Sequence, residues 1–231
     1  MLQMGTRVNK LFNIPAKGFV LSLLFLSFFA IILSFIRFNV ANSTQYDFLM
    51  WNLILAWIPL ILAWILYVRT PKGLAWSWPN FGIFAVWLLF LPNAFYLITD
   101  FIHLRRNSQV DIVFDVILFG TYTFCGVILG LTSLYLVHIR TIKRFGAIGH
   151  YLPAVVLLLC GFAIYLGRYL RWNSWDIITN PFGLLFDVSS SVIDPVNHPL
   201  TFATTLLFFG LFGLIYFVVW QAIGAVKNTK N

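Results

Sequence analysis

The chain has 231 residues; 61 % are apolar, only 10 % are charged, and the mean hydropathy is +0.90. A water-soluble domain carries about 25 % charged residues, so a chain of this size could not cover its surface with so few. This excludes an ordinary soluble enzyme, a disordered tail and a coiled coil, and leaves an integral membrane protein. Lys and Arg number 15 against seven acids, all of them Asp, for a formal charge of +8.

Apolar runs of about 20 residues predict membrane-spanning helices. The first covers residues 18–38, preceded by Arg7, Lys10 and Lys17. It is longer than the 7–15 residues typical of a secretory signal, and Val40-Ala41-Asn42 is a poor cleavage site, so it reads as a retained helix. Further spans follow over 47–68, 80–98, 111–137, 151–170 and 200–226. The runs are apolar all round rather than alternating, and a segment in lipid must satisfy its own backbone hydrogen bonds, so these are helices and not barrel strands. The expected fold is all-α: one transmembrane domain over 1–231, a bundle of about six helices. Residues Phe182 to Ile193, between the fifth and sixth, mix apolar side chains with Asp187 and three Ser and read as an interfacial segment on the outer surface.

Alternate connecting segments differ in charge. The termini, the loop with Arg69 and Lys72 and the loop with Arg140, Lys143 and Arg144 together hold ten Lys and Arg. The other side holds five: Arg37, Arg105, Arg106, Arg168 and Arg171. The richer side is expected to be cytoplasmic, with both termini inside. All seven Asp then fall outside. The basic inner face follows from topology and from attraction to anionic lipid head groups; no nucleic-acid motif accompanies it. Trp51, Trp76, Trp78, Trp172 and Trp175 lie near span ends, as interfacial belts do. Cys125 and Cys160 lack metal-type spacing and read as small apolar fillers. Gly126-x-x-x-Gly130 reads as a close-packing face, and His138 and His150 as solvated cytoplasmic loop groups.

Polar residues concentrate in two segments of the outer side. Leu91-Pro92-Asn93-Ala94-Phe95-Tyr96-Leu97-Ile98-Thr99-Asp100-Phe101-Ile102-His103 ends the third span. Pro92 removes a backbone donor and predicts a kink. Beyond it, Asn93, Tyr96, Asp100 and His103 share an arc of about 80° on a regular α-helix. The second segment, Gly167-Arg168-Tyr169-Leu170-Arg171-Trp172-Asn173-Ser174-Trp175-Asp176, ends the fifth span. Arg168 and Arg171 share a face if the helix continues, and Asn173, Ser174 and Asp176 follow in a turn. Ionisable groups at a membrane edge are costly and tend to be paired and functional. A carboxylate beside an imidazole suits acid–base work or a divalent metal, though no specific metal motif is present. Asp111 and Asp115 either join this set or simply favour the helix N-terminus that they begin, where Ser108-x-x-Asp111 resembles a capping box.

These two segments resemble the signatures of an uncharacterised bacterial family of integral membrane proteins, the domain-of-unknown-function family 1361. Phe95 stands where members of the family often carry a second Pro. The resemblance implies a bacterial inner or plasma membrane location and no established activity.

The leading functional expectation is an outer-leaflet polar site that binds or modifies a lipid or lipid-linked anionic head group. In it, Asp100 and His103 act as base and acid, and Asn93, Tyr96, Arg168, Arg171, Asn173 and Asp176 bind substrate. The alternatives are a structural or accessory subunit, whose motifs only staple helices, and a small-solute transporter. The sequence leaves open whether the two segments touch.

Overall fold

The computed structural model describes residues 15–74, 77–104, 110–194 and 198–228. Arg7, Lys10, Trp76, Arg105, Arg106, Ser108 and Lys230, and the side chains of Lys17 and Lys227, lie outside the described set. The described residues are mostly helical, with no strand among them. In chain order the helices are α1 (Pro15–Ala41), α2 (Phe48–Arg69), α3 (Trp78–Tyr96), a 3₁₀ segment (Leu97–His103), α4 (Ile112–Phe145), a second 3₁₀ segment (Gly146–Tyr151), α5 (Leu152–Tyr169), the short α6 (Asp176–Thr179), α7 (Pro181–Ile193) and α8 (Pro199–Asn228).

Among the described residues, five helical runs are long and apolar enough to cross a membrane: Gly18–Ala41, Phe48–Arg69, Trp78–His103, Ile112–Tyr169 and Pro199–Val226. The fourth is 58 residues long, far beyond one crossing. The chain folds back inside it at Gly146–Tyr151, where Gly146 takes φ 61° and Gly149 seats against the backbone of Ile142. The protein is therefore a multi-pass membrane protein. Its lipid-facing surface is formed by exposed side chains such as Phe25, Phe28 and Phe35 on α1 and Leu207 and Leu214 on α8.

The 34-residue α4 is the central helix. One side of it packs with α1 and α2 around the fully buried Phe119 and Tyr122; the other packs with α3, α5 and α8 around Trp87 and Phe212. Polar contacts recur along it in register with this packing. Ser34 meets Tyr122 at 2.7 Å, Ser27 meets Cys125 at 3.2 Å, and Ser133 accepts from Trp87 Nε1 at 2.6 Å while donating to the Pro59 carbonyl at 2.9 Å. Each joins neighbouring helices where an unpaired polar group would be costly. Gly126 and Gly130 face Ala94 and Phe95 of α3 and Leu97 just after it, so the small-residue spacing serves close packing.

Helix α4 runs eight residues past the expected end at 137, and this corrects the reading of His138. That side chain is 3 % exposed, bonds through Nδ1 to the Tyr216 hydroxyl at 2.7 Å and packs at a tilt against Trp220 with ring centroids 4.5 Å apart. The extension is stable because its basic residues bond the end of α2 and the loop that follows it. Arg140 donates to the Tyr67 and Pro71 carbonyls at 3.0 and 3.1 Å, and Lys143 donates to the Pro71 carbonyl at 3.0 Å. Acids and bases thus separate along the helices: α2 begins after Asp47 and ends at Arg69, and α4 begins at Asp111 and ends among Arg140, Lys143 and Arg144.

Candidate functional site

The α-helical ladder of α3 runs through Pro92 to Tyr96 and then tightens to a 3₁₀ turn. Thr99 Oγ1 donates to the Tyr96 carbonyl at 2.6 Å across this junction. In a 3₁₀ helix, residues three apart eclipse. The even 80° fan expected of a regular α-helix is therefore replaced by a tighter grouping, with Asp100 and His103 on one line.

Arg168 reaches this line from the last turn of α5. Its Nη2 donates to Asp100 Oδ1 at 2.9 Å and also to Thr99 Oγ1. Its Nη1 donates to His103 Nε2 at 3.1 Å, and its guanidinium lies over the Tyr96 ring, 4.4 Å from the centroid. Arg has no acceptor, so the imidazole accepts here. Asn52 of α2 donates to the other Asp100 oxygen at 2.9 Å, and Thr123 of α4 donates to the Leu97 carbonyl at 3.1 Å. The 3₁₀ segment is thus held by α2, α4 and α5 together. The Asp100 side chain is 1 % exposed and that of Arg168 13 %, so the ion pair is well shielded. His103 is exposed on one side and packs edge-on against Phe48, with centroids 5.2 Å apart.

The two segments also meet a second time. Asn93 Nδ2 donates to Ser174 Oγ at 2.9 Å, and Ser174 Oγ donates to the Leu89 carbonyl at 3.0 Å. Tyr96 hydroxyl donates to the Gly167 carbonyl at 3.4 Å. Of the expected site residues, Asn93, Tyr96, Asp100, His103 and Arg168 therefore gather at one interface.

Arg171, Asn173 and Asp176 do not join them. Helix α5 ends at Tyr169 and Arg171 takes a left-handed φ of 62°, so it shares no face with Arg168. It is exposed and makes no hydrogen bond among the described residues. A left-handed L-residue costs roughly 1–2 kcal/mol that glycine avoids. Arg171→Gly is therefore expected to leave stability unchanged or raise it by up to about 1 kcal/mol, read as the thermal unfolding midpoint in detergent. A clear loss would mean that the Arg171 side chain holds a partner.

Asp176 closes a local turn. Its Oδ2 accepts from Asn173 N at 2.7 Å and from Asn173 Nδ2 at 3.2 Å, while Oδ1 accepts from Thr179 Oγ1 at 3.0 Å. The Asn173 backbone N–H holds its carboxyl below its ordinary 3.8. The carboxylate's support of the turn is thus fully present above the ordinary range and is lost only as pH falls through the lower folded value. An NMR titration of this carboxyl is expected to have its midpoint below 3.8, rising toward that value in an Asn173→Pro variant, which lacks the N–H while the Thr179 bond remains; equal midpoints would refute the assignment.

Asp115 also lies apart. It is fully buried and pairs with Arg37 at 3.3 Å, while Asp111 caps α4 by accepting from Val113 N at 2.7 Å. Trp172 does not simply line an interface: its Nε1 donates to Asp187 at 2.9 Å and pins α7 to the end of α5. Among the described residues, no three His, Cys, Asp or Glu side chains gather as metal ligands. Arg168 itself stands between Asp100 and His103, so this pair does not fit a divalent ion.

Three contributors escaped the sequence reading. Asn52 carried a signal, an amide within an otherwise apolar span. Thr99 was adjacent to a chosen residue and was given no role. Arg37 was counted only as a loop charge.

The description "Protein of unknown function (DUF1361)" belongs to the family model that matches residues 51–219, and the chain belongs to that family. The match spans both polar segments, Asn52 and Asp115, and leaves Arg37 outside. No curated protein and no solved structure matches the chain.

Proposed function

We propose that this family member is a multi-pass protein of the bacterial plasma membrane with both termini cytoplasmic, and that its two polar segments act as an intramembrane clamp. The chain then serves as a structural or accessory subunit whose outer ends are held in a fixed arrangement. The observation that carries this reading is that both oxygens of Asp100 are bonded inside the protein and shielded from solvent. One oxygen is taken by Arg168 and the other by Asn52, at 1 % side-chain exposure. A general base needs a free lone pair facing its substrate, and a phosphate-binding Arg needs a free edge. Arg168 instead spends its terminal nitrogens on Thr99, Asp100 and His103. The basic end of the bundle, with Arg69, Lys72, Lys143 and Arg144 exposed, suits an anionic inner leaflet.

A second reading, head-group binding or modification at the same end, is favoured by the exposure of His103 and Arg171 beside the clamp. The double variant Asp100→Leu/Arg168→Met separates the two. Replacing a buried ion pair by apolar residues is often neutral or stabilising, whereas breaking it is not. A clamp predicts that the double variant recovers the membrane abundance lost by either single variant and keeps the cellular phenotype. Recovered abundance with a lost phenotype would establish chemistry at the site instead. A C-terminal fusion is expected to be active with a cytoplasmic reporter and inactive with one that needs export.

A further inference from the structure

The turn that follows α2 is fastened to the far end of α4. Leu74 N donates to the Arg140 carbonyl at 3.0 Å, while Arg140 Nη1 and Lys143 Nζ donate to the Pro71 carbonyl at 3.1 and 3.0 Å. Gly73 makes the approach possible. It takes φ 115°, and a Cβ there would lie 2.9 Å from Arg144 N.

This contact gathers cations from two distant parts of the chain. Lys72 lies in the turn, Lys143 bonds it, Arg144 touches it and Arg69 comes just before it; all four are exposed. Behind them Arg140 is 7 % exposed, with its guanidinium 3.7 Å from the Tyr67 ring centroid. Its hydrogen-bond partners are carbonyls, which solvate the charge without neutralising it. All seven Asp lie toward the other end of the bundle, and among the described residues none of these cations has an acidic partner. Gathering like charges round a buried cation with no counter-charge is costly. Topology accounts for basic residues on this side of the membrane. It does not account for a turn fastened so as to bring them together.

The surroundings select the ligand. Arg69 donates through Nε to Oδ1 of the buried Asn80 at 3.1 Å, which orients the guanidinium and leaves its terminal fork without a partner among the described residues. Such a fork suits phosphate. From Arg69 an exposed apolar stripe, Val68, Ile65 and Ile61, runs along one face of α2 into the membrane. A phospholipid answers both features, with its phosphate on the fork and its acyl chains on the stripe. A single phosphodiester brings one negative charge to the whole cluster. Two phosphates joined by a glycerol bring twice that for the ordering of one molecule. Basic pockets between helix ends on the cytoplasmic side take head groups of this kind.

We propose that the turn after α2 and the end of α4 together bind the head group of diphosphatidylglycerol, with one phosphate at Arg69 and the other between Lys72 and Arg144. The site rests on the inner-leaflet reading of this end only for the choice of leaflet, and not on the Asp100 clamp.

The test is native mass spectrometry of the full chain from nanodiscs holding equal diphosphatidylglycerol, phosphatidylglycerol and phosphatidylethanolamine with identical acyl chains. Diphosphatidylglycerol is expected to be retained about tenfold over phosphatidylglycerol, as befits one further charge-assisted contact. Lys72→Gln and Arg144→Gln alter exposed side chains, so the fold is kept, and each is expected to lower the preference about fivefold. Gly73→Ala changes no charge but pushes the turn away from Arg144, and it is expected to lower the preference too. A general attraction to anionic lipid would leave that variant unchanged. Arg69→Lys, which keeps the charge and loses the fork, makes the same distinction if Gly73→Ala does not fold. Equal retention of the two glycerol lipids overturns the proposal, as does a preference that survives these substitutions. A thermal midpoint raised by inorganic pyrophosphate, with no discrimination among the lipids, overturns it in favour of a soluble polyanion. Both leaflets of a nanodisc are alike, so each of these results leaves the topology to the reporter fusion and the clamp to the Asp100→Leu/Arg168→Met variant.

Discussion

Arg168→Met is expected to destabilise the folded chain by about 3–5 kcal/mol, the usual effect of removing one partner from a buried ion pair. The cost comes from what remains. Asp100 keeps its bond from Asn52, but its other oxygen faces a shielded interface with no cation. Thr99 and His103 lose their donor as well. Arg168→Lys preserves the charge and is still expected to cost about 1–3 kcal/mol. An ammonium cannot fork across three acceptors, and it does not lie flat on Tyr96 as the guanidinium does at 4.4 Å. Thermal midpoints in detergent and membrane abundance both read this series. If Arg168→Lys matched the parent protein in both, the planar fork would be irrelevant and the clamp reading would fail.

The second large effect is steric. Gly126→Ala places a methyl group against the Ala94 carbonyl oxygen and 2.5 Å from Leu97 Cδ1. Leu97 begins the clamped 3₁₀ segment, so it has little freedom to retreat. Overpacking of this kind costs about 1–3 kcal/mol, and a backbone carbonyl yields less readily than a side chain. Gly161→Ala meets the Thr205 carbonyl in the same way, at the α5–α8 contact. Gly120→Ala and Gly210→Ala meet nothing within 4 Å and are expected to be neutral or to gain up to about 1 kcal/mol from helix propensity. Equal midpoints for Gly126→Ala and Gly120→Ala would show that α3 and α4 do not touch where the structure brings them together.

Both effects depend on helices that were legible in the sequence and on contacts that were not. The apolar runs placed α1, α2, α3, α5 and α8 within a few residues, because a membrane-spanning helix must satisfy its backbone internally whatever it packs against. The largest error in a boundary, at the end of α4, arose where hydropathy falls off but the helix continues. Arg140 and Lys143 looked like loop residues and are instead helical residues bonded to loop carbonyls. His138 was misread for the same reason.

The candidate site divides in a similar way. Asn93, Tyr96, Asp100 and His103 stood out because amides, carboxylates and imidazoles are rare in apolar runs. Their grouping with Arg168 could be anticipated only from a shared membrane side. Three things were beyond local spacing. The 3₁₀ turn after Tyr96 realigns Asp100 with His103, the left-handed Arg171 breaks its register with Arg168, and Asn52 comes from a helix 48 positions away.

Composition and hydropathy by themselves determined a multi-pass helical membrane protein and marked which polar residues need an explanation, since burial in lipid penalises each of them regardless of partner. Which partner each one has was decided only by the tertiary structure. Arg168 and Arg37 are both basic residues at the end of an apolar helix. Packing delivers acceptors to both terminal nitrogens of Arg168, leaving its Nε without one, and delivers to Arg37 a single oxygen, bonded through Nε alone.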